Sequence, residues 1–186
     1  AQMTAHAKTS TPKGDGYWNA RFSEAGFAYG EVANDFLMAC APHLPRGKAL
    51  SLGEGEGRNA VFLAQLGFEV TAVDFSVVGL QKAQTLAQRH AVGLTCVHAD
   101  LANFDMSTER WDLVISVFAQ PDSPVRQRLY GQLAQSLKPG GAFLLESKVQ
   151  CDATAQARYP GVAILVQEIS GLRVVHATEQ ERILNE

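Results

Sequence analysis

The chain has 186 residues, 46% of them apolar and 19% charged, which is the make-up of one globular domain with a full core. Its net charge is −3 and its basic residues are scattered, so no nucleic-acid footprint is present, although an enzyme acting on a small charged molecule is not excluded. Cys40, Cys96 and Cys151 form no C-x-x-C pair, which argues against a disulfide framework, a zinc knuckle or any other metal site and suits a reducing, cytoplasmic setting.

Residues 1–16 are small and polar and read as a flexible tail, followed by one domain over 17–186. An aromatic cap over 17–45 opens that domain. It carries Trp18, Arg21, Phe22 and Tyr29, which serve equally well as a helix anchor or as a cover over a ligand. From Glu31 onward, Val32, Phe36, Leu37 and Cys40 recur at helical spacing until Pro42 or Pro45. No run is apolar and long enough to span a membrane, and the start lacks a signal-peptide core.

Strands and helices then alternate. Strands are predicted at 48–52, 69–73, 94–98, 111–118 and 142–146, and helices at 59–66, from Ser76 to about 90, and through Val125, Leu129, Leu133 and Leu137. Lys138-Pro139-Gly140-Gly141 reads as the stop signal of that last helix. Strands separated by helices of this length imply βαβ units. The expected fold is α/β, a doubly wound, mostly parallel Rossmann-like sheet of about seven strands. A helix at 162–170 and strands at 172–177 and 182–184 would complete it, with the last strand incomplete.

Open α/β sheets bind ligands beyond the carboxyl ends of their strands. Gly53, Gly55 and Gly57 lie there after the first strand, Asp74 after the second, Asp100 after the third, Asp122 after the fourth and Glu146 at the end of the fifth. Asp74 stands seventeen positions after Gly57, near the spacing of a carboxylate that holds a ribose. The glycines do not fit G-x-G-x-x-G, and Glu54 and Glu56 would oppose a pyrophosphate. By charge complementarity they favour a cationic ligand, such as an adenosine bearing a sulfonium and an amino group.

Leu-Ser-Leu-Gly-Glu-Gly-Glu-Gly-Arg-Asn, Val-Thr-Ala-Val-Asp74, Ala99-Asp100, Trp111-Asp112-Leu-Val and Leu137-Lys-Pro-Gly-Gly-Ala-Phe resemble, in order and spacing, the class I S-adenosylmethionine-dependent methyltransferases. The Tyr17–Phe22 segment and Tyr29-Gly30 are similar to the cap of the small-molecule branch related to tellurite-resistance and thiopurine methyltransferases. The resemblance implies S-adenosylmethionine as cofactor. Gly53, Gly55 and Gly57 would face its methionine part, Asp74 its ribose, and Asp100 with Leu101 its adenine. Asn59, Phe75 and Phe118 complete the expected cofactor set. The family usually has an aspartate where this chain has Ser51, so Glu54 is expected to take over the contact with the amino group.

The reaction implied is in-line methyl transfer to a small-molecule acceptor, in which the protein contributes alignment and exclusion of water. If a base is needed, Asp122, Glu146 and His176 are candidates, none of them singled out. A lone late His such as His176 is more often structural. Arg21 can orient an anionic acceptor or simply be an exposed helix Arg. A non-catalytic S-adenosylmethionine-binding sensor or partner domain is the second reading, and an NAD-dependent oxidoreductase the third. A monomer or homodimer is expected, with no membrane partner.

Overall fold

A computed structural model describes residues 14–149, 159–181 and 183. Five strands lie in one parallel sheet in the order β3-β2-β1-β4-β5, with β1 at Lys48–Leu52, β2 at Glu69–Asp74, β3 at Thr95–His98, β4 at Trp111–Val117 and β5 at Leu137–Glu146. Strand order reverses between β1 and β4, so the switch point lies at the end of β1, where the three glycines are.

Burial on both faces explains the apolar runs. Ala49, Ala72, Ile115 and Leu144 face one side, against Leu37 of α2 (Asp35–Cys40), Leu63 of α3 (Arg58–Gln65) and Leu80 of α4 (Val77–Arg89). Leu50, Leu52, Val73 and Val114 face the other, against Leu129 of α5 (Ser123–Tyr130), Leu133 of α6 (Leu133–Ser136) and Leu165 of α7 (Val162–Glu168). A strand buried on both sides loses the polar alternation of a half-exposed one, and β4 is the clearest case. Gly67 and Gly93, at the opposite edge from the glycine turn, each have open space where a Cβ would stand.

Four expectations need correction. First, the described residues of the sheet number five strands, not about seven. Residues 172–181 contain no strand, with Val174 and Val175 52% and 80% exposed, so this apolar pair has no sheet face to bury against. Residues 182 and 184 of the other expected strand, 182–184, lie outside the described residues, as do 1–13 of the expected tail.

Second, Asp15 and Gly16 belong not to a tail but to α1 (Asp15–Phe22). Third, Val32 is not helical. Asn34 caps α2 by accepting from the Leu37 N–H at 3.0 Å, and this fixes the start of the helix three residues later than the apolar spacing suggests.

Fourth, Leu137 does not end a helix. The predicted helix is broken between Tyr130 and Leu133, where Gly131 gives little helical support. Leu137 then pairs with Trp111, and the next aligned pair is Leu113 with Ala142, so Lys138-Pro139-Gly140-Gly141 loops out as a bulge. Pro139 has no N–H for the ladder and Gly140 is left-handed at φ +80°, which suits an irregular edge and not a helix end. Lys138 reaches back to Asp112 at 3.1 Å, and the same carboxylate accepts from the Lys48 N–H at 2.8 Å. That bond, and then the Lys138 charge, hold the Asp112 carboxyl below the usual range.

Candidate functional site

After Leu52 the chain turns through Gly53, Gly55 and Gly57, with φ of +66°, +70° and +100°. The N–H groups of Gly53 and Glu54 both donate to the Val73 carbonyl, at 2.8 and 3.1 Å, tying the turn to the end of β2. Each glycine is required by a different neighbour. A Cβ on Gly53 would stand 2.7 Å from that of Ala119, across the switch point. One on Gly57 would stand 2.7 Å from the backbone of Ala83 in α4, and one on Gly55 3.1 Å from the Phe22 ring. Gly53 is therefore the glycine that borders the cleft between β1 and β4, with Leu101 next to it at 4.0 Å.

Asp74 locks this turn from below. Its Oδ2 accepts from the Gly55 N–H and its Oδ1 from the Ser76 N–H, both at 2.8 Å. Burial raises its carboxyl above the usual range, against the pull of those two bonds. Beyond it Phe75, His98, Ala99 and Asp100 line a depression of about 470 Å³, closed on one side by Gly14 and Asp15 of the α1 end. The His98 Nε2 is 3.0 Å from the Phe75 carbonyl, and Asp100 accepts from the Ala102 N–H at 2.9 Å. Gly53, Gly55, Asp74, Phe75, Asp100 and Leu101 are thus gathered along one sheet edge.

The two glutamates of the turn serve the protein itself. Glu54 Oε1 accepts from the N–H groups of Asn59 and Ala60, at 3.1 and 2.9 Å, and its Oε2 accepts from the Ser51 hydroxyl. The residue at the N-cap of α3 is Gly57, which has no side chain to cap it, and Glu54 supplies the cap from three positions earlier. Burial pushes its carboxyl up to about 7, opposed by the Ser51, Ala60 and Asn59 hydrogen bonds and assisted by the nearby Asp74 charge. Glu56 accepts from the Ala28 N–H at 2.6 Å and from Lys82 Nζ at 2.8 Å. The charge argument that drew a cationic ligand to this pair therefore does not hold, because both carboxylates are engaged by chain groups. Ser51 is explained by the same geometry, since its hydroxyl binds the Glu54 carboxylate. Asn59 Oδ1 accepts from the Asn34 N–H at 2.9 Å, joining α2 to the first turn of α3.

Within the cap, Phe22 is 4% exposed and stacks on Trp18 with ring centroids 5.5 Å apart. Asn19 accepts from the buried Ser76 hydroxyl at 2.7 Å, a bridge between α1 and α4 that sequence alone does not reveal. Arg21 is paired with Glu24 at 2.9 Å and lies over the Tyr29 ring. Phe118 and Gln120, just past β4, are left-handed at φ +53° and +41°, and the Phe118 N–H donates to the Glu146 carbonyl. Non-glycine residues held this way carry local strain, which gathers at functional loops. Asp122 is exposed and caps α5, Glu146 is half-buried at the end of β5, and His176 is exposed beside Phe36 of α2. Among the described residues no cluster of three or more His, Cys, Asp or Glu can hold a metal, and no helix is long and apolar enough to cross a membrane.

Fold and turn define a doubly wound α/β protein whose glycine turn lies at the switch point. A family model described as a methyltransferase domain matches residues 49–141, half of the chain, and the chain belongs to that family. Among solved structures, an S-adenosylmethionine-dependent methyltransferase from Mesorhizobium loti is 27% identical with a TM-score of 0.53, the match covering 61% of this chain and 52% of that one. The glycopeptide N-methyltransferase MtfA, solved with S-adenosyl-L-methionine, is 26% identical at a TM-score of 0.53, over 66% and 52% of the two chains. A TehB-like methyltransferase from Corynebacterium glutamicum shares the fold at 18% identity and a TM-score of 0.58, over 82% and 76%. The chain spans about half the length of the first two proteins.

Proposed function

We propose that this chain is an S-adenosylmethionine-dependent methyltransferase that transfers a methyl group in line to a small-molecule acceptor. The observation that carries this reading is the left-handed glycine turn at the switch point, bonded through the Gly55 N–H to Asp74, on the same sheet edge as the Phe75–His98–Asp100 depression. The cofactor, when bound, supplies a methyl group already activated on a sulfonium. Its site fits the residues present, because Asp74 presents a buried carboxylate at the sheet edge and the adjoining depression gives room for a nucleobase.

Asp74 has lone pairs left beyond its two backbone bonds and would accept from the ribose hydroxyls. Asp100, with the backbone at Leu101, would hold the adenine. Gly53, with the main chain around it, would lie along the methionine part, with Phe118 at the cleft beyond. Phe22 and Trp18 would exclude water from above. Asp122 and Glu146, at the ends of β4 and β5, are the groups placed to take a proton from an acceptor that carries one. The low net charge and the scatter of the basic residues along the sequence favour a small acceptor. The free Cys40 and Cys96 favour a cytoplasmic setting, and a monomer or homodimer of one domain that begins with α1 accords with the length.

Calorimetry with S-adenosylmethionine, S-adenosylhomocysteine and NAD tests the cofactor. Binding of NAD with no heat from either sulfur compound would sink the proposal. A labelled-methyl screen against thiol, selenite, tellurite and phenolic acceptors then separates an enzyme from a non-catalytic binding protein.

A further inference from the structure

The middle of the segment between α1 and α2 is fastened to the glycine turn and α4 through Glu56 and Lys82. Lys82 of α4 donates to the Glu24 carbonyl at 2.8 Å, to the Gly26 carbonyl at 2.6 Å and to Glu56 Oε2 at 2.8 Å. An ammonium has three protons, and here each has its acceptor. The other Glu56 oxygen takes the Ala28 N–H, and the Phe27 ring lies 5.7 Å from the ammonium. The Glu56 side chain is 5% exposed and that of Lys82 24%, so water screens this pair weakly.

What the fastening holds down is Phe22. Its ring lies against Gly55 of the turn and Gly79 of α4, where a Cβ would come within 3.1 and 2.9 Å of it. Gly55 in turn donates its N–H to Asp74. Cover, turn and carboxylate are therefore in direct contact; the Ser76–Asn19 bond holds the α1 end of the cover, and the Glu56–Lys82 pair holds its 24–28 stretch.

We propose that Glu56 and Lys82 are positioning residues that seat the 19–30 segment on the glycine turn and thereby slow the escape of the nucleoside ligand from Asp74. The retention half of this inference rests on the cofactor reading above, whereas the fastening half stands without it. On this proposal the ion pair acts on dissociation more than on association, because α1, whose end at Gly14 and Asp15 borders the depression, would have to shift for the ligand to leave.

The test uses the full chain as K82M, and as the double variant E56Q/K82M, which leaves no buried charge behind. Hydrogen exchange of the ligand-free protein should show amides of 19–30 exchanging about tenfold faster in both variants, with β1 and α3 unchanged. S-adenosylhomocysteine, followed by stopped-flow, should then dissociate about tenfold faster with little change in association rate, and K82R should restore part of the retention. A structural role alone would lower melting temperature without moving the dissociation rate. Unchanged exchange over 19–30 overturns the fastening. Faster exchange with an unchanged dissociation rate overturns the retention role. A wild type that does not bind S-adenosylhomocysteine overturns the cofactor reading and the retention role with it, while the exchange result still judges the fastening.

Discussion

Gly57→Ala and Gly67→Ala form a matched pair that isolates one contact. The two glycines have nearly the same backbone, φ +100° and +96°, so an alanine at either suffers similar left-handed strain, about 1–2 kcal/mol. They differ in what a methyl group meets. At Gly67 nothing lies within 4 Å, whereas at Gly57 the Cβ would be 2.7 Å from both the Cα and the Cβ of Ala83. Ala83 is fully buried in α4, and the atom in the way is backbone, so the helix itself must shift. Overpacking of that kind adds about 1–3 kcal/mol. Gly67→Ala should therefore cost about 1–2 kcal/mol and Gly57→Ala about 2–5 kcal/mol, read from urea unfolding at fixed pH. If the two variants agree within about 0.5 kcal/mol, α4 does not pack on the turn as described and the reasoning fails.

Asp74→Ala should weaken binding of S-adenosylhomocysteine by more than about tenfold, measured by calorimetry, while Asp74→Asn should keep part of the turn geometry and lose less. Stability should depend on pH through Glu54, whose carboxyl rises from 4.5 to about 7 on folding. The folded state then binds the extra proton, so the contribution is complete below about pH 4.5 and is lost as pH rises through 7. The stability of wild type relative to Glu54→Gln should fall by up to about 3 kcal/mol across that window, and a flat difference would refute the buried-acid assignment. On the other face of the sheet, Arg126 holds Glu168 through two bonds of 2.5 and 2.9 Å, both side chains being buried. Arg126→Met should destabilise by about 3–5 kcal/mol, and the double variant Arg126→Met/Glu168→Leu should recover much of it in the same unfolding assay.

The sheet was legible because its signal is periodic and local. Trp111–Val117 is apolar on both sides, and each helix that follows a strand carries a stripe at spacings of three and four. Asp74 was legible for a similar reason, as it sits at a strand end with a glycine turn upstream. What escaped was set by partners far away in sequence. Glu56 looks like a free carboxylate until Lys82, 26 positions later, folds onto it. Glu54 looks available to a ligand until Gly57 proves unable to cap α3. The Lys138–Gly141 stretch carries helix-stop chemistry, yet Leu137 and Ala142 both find partners on β4. Local propensity gave way there to strand pairing. Past α7, apolar residues at 172–177 suggested a strand, but an apolar pair makes no strand without a neighbour to hydrogen-bond.

The two edges of the sheet offer different freedom to an experimenter. At the carboxyl edge, turn, cover and loop interlock closely enough that one methyl group has nowhere to go. At the amino edge, Gly67 and Gly93 stand in exposed turns with open space around them. Gly67 is left-handed and resists any side chain, so a fluorophore or an affinity tag is better introduced at 93, a strand length from the carboxyl edge, where ligand binding could be watched without disturbing it.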